Sequence, residues 1–212
     1  MLSASMTQHF IRFFLSLLLA RILIQADFGT AALVLSIFNL VQIFSELGIT
    51  VAVVQRKSIS DLTIDSAFIL TVAMATLLSA GLWFFSELIA RFFKIAEFES
   101  LLHIVAISII FRTLFSFYRS LLLRDLKYKA ISGIEVACIV IYGISAVMLA
   151  VQGFGPSSIV IGQLIYSIFA VMAGLIMTRH FPKGFGSFRE MYQLFKVGIW
   201  VLAGKFIGSA SG

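Results

Sequence analysis

The chain has 212 residues, of which 60% are hydrophobic and only 12% charged, and its mean hydropathy is +1.06. A soluble domain carries about 25% charged residues, so water is not the main solvent here. A disordered chain is excluded as well, and with Cys138 as the single cysteine so is a disulfide scaffold. The net charge of +6 is dispersed between apolar blocks instead of gathered in a stripe, which argues against a nucleic-acid binder.

Charge spacing divides the chain, because a helix needs about 20 apolar residues to cross a ~30 Å hydrocarbon layer. Six crossings are predicted: Ser5–Leu23, Ala31–Val54, Ser66–Phe85, Leu101–Leu123, Ile131–Val151 and Ser157–Thr178. The uncharged run from Val136 to Thr178 would be about 64 Å as one helix, two membrane thicknesses, and must double back. Gly153, Gly155 and Pro156 mark the turn. Met1–Ala20 has no amino-terminal positive charge and is interrupted by Arg12, so it reads as an uncleaved first helix, not a signal peptide.

Beyond the six-helix lobe of residues 1–178, residues 179–196 form a cytoplasmic linker. Within it Phe188, Met191, Tyr192 and Phe195 share one helical face and Arg189, Glu190, Gln193 and Lys196 the other. This stretch is either a short interfacial helix or an amphipathic extension of a seventh helix. Residues 197–212 read as the start of that seventh helix, truncated.

Lysine and arginine set the expected orientation. The loops after the second, fourth and sixth crossings hold Arg56, Lys57, Arg124, Lys127, Lys129, Arg179, Lys183, Arg189 and Lys196, whereas the opposite loops hold only Arg91 and Lys94. The amino terminus is therefore expected in the cytoplasm, in a plasma (inner) membrane.

Enzyme motifs fail one after another. Asp27-Phe28-Gly29 has the letters of a kinase metal triplet but none of its companions, and reads as a loop between helices. The run Gly153 to Ser158 lacks the third glycine and the preceding strand of a dinucleotide loop. His9, His103 and His180 fall in separate elements, so metal-ligand spacing is absent and neither cofactor nor metal is expected. Asp61 and Asp65 read as polar residues opening the third helix.

Polar groups inside the apolar helices are the informative remainder, since an ionised side chain at the bilayer centre costs at least about 2.5 to 3.5 kcal/mol. Ser5, Gln8, Arg12 and Ser16 share a stripe on the first helix, as do Asn39, Gln42, Glu46 and Thr50 on the second. Ser108, Arg112, Ser116 and Arg119 do so on the fourth, and Glu135 and Tyr142 share a face on the fifth. Four polar stripes imply a common hydrated interior. Arg12 and Glu46 fall at matching depth, about 10 to 12 Å from the cytoplasmic ends of their helices, and could pair. Arg112, deeper, is the leading candidate for an anionic ligand, with Arg12, Glu46 and Tyr142 as the other proposed binding residues. The plainer readings are that Arg119 snorkels to the inner surface, Arg21 meets Asp27 or a headgroup, Glu135 meets Lys129 or Arg124, and His103 and Glu87 are interfacial.

Several segments resemble the amino-terminal half of the polysaccharide transporter family, the O-antigen and exopolysaccharide type of oligosaccharide flippase within the multidrug/oligosaccharidyl-lipid/polysaccharide exporter superfamily. They are Arg21-Ile22-Leu23 with Asp27-Phe28-Gly29, then Phe44-Ser45-Glu46-Leu47-Gly48-Ile49 running to Ala52 and Val54-Gln55-Arg56-Lys57. Arg124-Asp125-Leu126-Lys127-Tyr128-Lys129 and Gly153-Phe154-Gly155 leading to Ile159-Val160-Ile161-Gly162-Gln163 complete the set. The resemblance implies an all-helical membrane fold of the multidrug-exporter type, with a second six-helix lobe of the same polypeptide as partner. It also implies transfer of undecaprenyl-pyrophosphate-linked sugar chains across the cytoplasmic membrane by alternating access. The rival readings are a cation-coupled multidrug exporter using Glu46 or Glu135, a membrane-embedded glycosyl- or acyltransferase, and a noncatalytic assembly subunit.

Overall fold

A computed structural model describes residues 2–46, 53–54, 59–95, 97–181 and 186–210, with side chains for these except 2–5, 7, 46, 199 and 201–210. Among the described residues, seven long helices succeed one another: α1 (Leu2–Ile22), α2 (Gln25–Glu46), α3 (Asp61–Phe93), α4 (Phe98–Arg124), α5 (Tyr128–Val151), α6 (Ser157–Thr178) and α7 (Phe188–Ala210). Five of them, α2 to α6, are long and apolar enough to cross a membrane. Polar residues from Gln8 to Arg12 dilute α1, and Arg189, Glu190, Lys196 and Lys205 dilute α7. Yet Phe10, Phe13 and Phe14 of α1 are each about 60% exposed, an apolar outer face of the kind that lies against lipid. The architecture is an all-α, multi-pass helical bundle.

Helix ends follow local chemistry. The Ser60 hydroxyl accepts a hydrogen bond from the Thr63 N–H (3.2 Å) and caps α3. The turn between α5 and α6 falls at the glycines and proline expected to make it, with Gly153 at φ +86° and Gly155 at φ +51°. A Cβ on Gly155 would lie 3.2 Å from an Asp27 carboxylate oxygen, so that turn sits against the start of α2. This corrects the reading of Asp27-Phe28-Gly29 as a loop: the triplet lies in the first turns of α2, where the carboxylate complements the positive end of the helix dipole. The second helix thus opens six residues earlier than Ala31. The third runs well past Ser66–Phe85 at both ends, because the apolar period continues through charged but interfacial residues such as Glu87 and Arg91, which pair with each other. The amphipathic stretch Phe188–Lys196 continues without a break into the apolar residues after it as α7, an extension and not a separate helix.

α4 is the axis of the bundle. Half of its membrane window is buried, and it packs most extensively on α3 and α6, with α2 and α5 also against it. α1 leans chiefly on α5, while α7 leans on α3. Lipid tails are as apolar as leucine, so association rests on close packing rather than on expulsion of water, and small residues permit it. Gly143 of α5 is the clearest case: a Cβ there would fall on the methyl groups of Leu15, which is how closely α1 lies on α5. Gly174 of α6 likewise admits Tyr118 of α4, at 2.9 Å from its would-be Cβ. Because α1 is drawn to α5 and α2 to α4, the facing sides of α1 and α2 are left to line cavities.

Candidate functional site

A cavity of about 180 Å³ lies between α1, α2, α4 and α6. Arg12 enters from α1, Asn39 and Gln42 from α2, Arg112 from α4, and Gln163 and Tyr166 from α6, with Leu35 and Phe38 completing the wall. Two guanidinium groups and three amides make it polar and cationic. No described carboxylate lines it.

Arg112 is half-buried, its guanidinium 5.1 Å from the ring centroid of Tyr166 and 5.8 Å from that of Phe115. Such rings hold a cation without neutralising it. Its Nη1 is buried and, among the described residues, has no hydrogen-bond acceptor. An unsatisfied charged donor in that setting costs about 1 to 3 kcal/mol, and an anion entering the cavity would relieve it.

A second polar layer lies on α1, α4 and α5 toward the start of α1. Arg119 Nε donates to Glu135 Oε1 (3.0 Å), and Gln8 Nε2 donates to Glu135 Oε2 (3.0 Å). One carboxylate therefore ties α1, α4 and α5. This corrects two expectations. Arg119 does not simply snorkel but is held by Glu135, and Glu135 meets Arg119 and Gln8, not Lys129 or Arg124. Neutralised in this way, Glu135 leaves the charge of the cavity to Arg12 and Arg112.

An adjoining cavity of about 130 Å³ is apolar, bounded by Leu15, Ser16 and Leu19 of α1, Phe28, Ala31, Ala32 and Leu35 of α2, Tyr142 and Ile159. Leu35 is common to both walls. Residues 18–211 match the family described as polysaccharide biosynthesis protein. The chain belongs to this family. It is similar to the succinoglycan biosynthesis transport protein ExoT of Rhizobium meliloti (strain 1021), 28% identical over 178 residues that cover 84% of this chain and 36% of that one. The chain thus spans about a third of that relative's length. No solved structure matches it. The family's description speaks of polysaccharide biosynthesis, and the relative's name of transport. Among the described residues, no group of three or more His, Cys, Asp and Glu is placed to hold a metal.

In this family member, then, Arg12 and Arg112 line one cavity, together with Asn39 and Gln42 of the second stripe. Tyr142 stands in the neighbouring apolar cavity. The Glu46 side chain and Thr50 lie outside the described residues, and with them the Arg12–Glu46 pairing. Reading the sequence alone overlooks Gln163 and Tyr166 as lining residues. Gln163 carries a signal, as the one amide in the expected crossing Ser157–Thr178, but Tyr166 reads as ordinary core. Asp65 is more than a polar residue opening a helix: it is buried, and its Oδ1 lies 3.5 Å from His180 Nε2 just beyond α6. His103 stacks on Trp83 with centroids 4.0 Å apart and shares a hydrogen bond with Ser86, an aromatic pair suited to the membrane interface.

Proposed function

We propose that α1 to α6 form one six-helix lobe of a flippase. It would move an oligosaccharide linked to a polyprenyl pyrophosphate from the inner to the outer leaflet during polysaccharide biosynthesis. The single observation that carries the reading is a cationic cavity inside an apolar bundle, where Arg112 keeps an unmatched donor and aromatic rings hold it in place. A pyrophosphate supplies what that donor lacks, in the form of charge and several acceptor oxygens that a guanidinium binds with two parallel N–H groups. Asn39, Gln42 and Gln163 provide amide contacts suited to phosphate oxygens or sugar hydroxyls. Rocking of this lobe against a second lobe would then present the cavity to either side of the membrane, the lipid having to favour neither state by much if the cycle is to turn over.

A cation exporter would want a cavity of net negative potential. With Glu135 engaged by Arg119 and no described carboxylate on the wall, the lining supports the anionic substrate instead. The reading is tested by transport of a pyrophosphate-linked glycolipid in liposomes containing the full-length protein. Arg112→Ala is expected to lower the rate about 10- to 100-fold, the worth of one or two charged hydrogen bonds. Unchanged transport in both Arg112→Ala and Arg12→Ala would remove the cavity from the mechanism.

A further inference from the structure

Both helices that frame the gap change character at the same level. Along α1 the cavity-lining residues run Arg12, then Leu15, Ser16 and Leu19. Along α2, which comes back the other way, they run Gln42, Asn39, then Leu35, Ala32, Ala31 and Phe28. A polar, cationic chamber therefore passes into an apolar one across Leu35. Arg12 and the residues Ser16 to Leu19 are separated by about 6 to 10 Å along the helix, a span that a pyrophosphate held at Arg12 and the first few carbons of its chain would bridge.

We propose that the apolar chamber is a binding subsite for the first hydrocarbon unit of a chain attached to pyrophosphate, while Arg12 and Arg112 hold the pyrophosphate itself. The assignment rests on the anionic-substrate reading above and adds to it that the chain is gripped by protein next to the headgroup. Size and chemistry select the occupant. The chamber measures about 130 Å³; an apolar cavity of about 150 Å³ stays dry and takes a benzene-sized guest, so a five-carbon unit fits. A free acyl chain has no reason to stop here, because the lipid around the bundle is equally apolar. A chain whose phosphate is fixed by two guanidiniums one turn away does. The Ser16 hydroxyl donates a hydrogen bond to the Phe13 carbonyl within α1, so it offers the guest a satisfied surface.

The experiment is calorimetric titration of the full-length protein in detergent with inorganic pyrophosphate and with isopentenyl pyrophosphate, whose short chain keeps it in water. Isopentenyl pyrophosphate is expected to bind at least about tenfold more tightly, as burial of a few carbons from water provides. Ala32→Phe, which fills the chamber from α2, should abolish that gain and leave inorganic pyrophosphate within about twofold of its original affinity. Ser16→Leu, filling it from α1, should do the same and guards against a folding defect in the first variant. No gain in the unaltered protein, or a gain that survives both substitutions, overturns the subsite while leaving the cationic chamber standing. Inorganic pyrophosphate that fails to bind, or that binds Arg112→Ala as well as the unaltered protein, overturns the chamber and the subsite together.

Discussion

A guanidinium seated between two aromatic rings is fixed in place without being neutralised, and that condition separates Arg112 from Arg119. Arg119 has a carboxylate at 3.0 Å, whereas Arg112 has the faces of Tyr166 and Phe115 and a buried Nη1 with no acceptor among the described residues. The fork of arginine matters as well as its charge, so Arg112→Lys is expected to recover only part of what Arg112→Ala loses, with transport between the two. Pyrophosphate affinity measured on the same three proteins should fall in the same order. Equal rescue to the level of the unaltered protein would mean that a point charge is enough. Which arginine is paired could not be read from the sequence, because both occupy one stripe of α4 only about 20° apart. The distinction arises from what stands opposite each of them: Glu135 of α5 against Arg119, the Tyr166 ring of α6 against Arg112.

At the level of helices, the contact between α1 and α5 decides where the cavities are. Gly143 allows Leu15 to lie on the α5 backbone, and two turns away Gln8 reaches Glu135. Gly143→Leu places a branched side chain where Leu15 already stands. Overpacking of that kind costs about 1 to 3 kcal/mol, and it should appear as a lowered Tm of the purified protein in detergent, with Gly143→Ala affected less because the Leu15 side chain can turn aside. An unchanged Tm in Gly143→Leu would show that α1 is not held against α5 as described. The helices themselves were legible from charge-free runs, since each apolar stretch of about 20 residues has few other ways to satisfy its backbone in lipid. Their ends were less so. α2 begins at Gln25 and not Ala31, because Asp27 stabilises a helix amino terminus as well as it would a loop.

For the whole molecule, five helices among the described residues have the length and hydropathy to span, and α1 packs against α5 while presenting phenylalanines outward. From the distribution of lysine and arginine we propose that the α4–α5 turn and the start of α7 face the cytoplasm. Exposed positions at opposite ends of the bundle test this. Lys129→Cys should react with a membrane-impermeant maleimide only after the cells are opened, and Glu99→Cys should react in intact cells, with buried Cys138 silent in both. The reverse pattern would invert the topology and with it the proposed direction of transport.

The sequence by itself determined that the chain is helical, membrane-embedded and striped with polar residues, because hydrophobic thickness and helical period act on each segment separately. It also determined the turn at Gly153–Pro156, where backbone freedom is a property of the residues themselves. Only the tertiary structure decided that Arg12 and Arg112 share a chamber with Gln163 and Tyr166, that Glu135 serves Arg119, and that Tyr142 stands in an apolar chamber next door. Those outcomes depend on which face each helix turns toward its neighbour, and that rotation is set by close contacts such as Gly143 on Leu15 and Gly174 on Tyr118, between residues far apart along the chain.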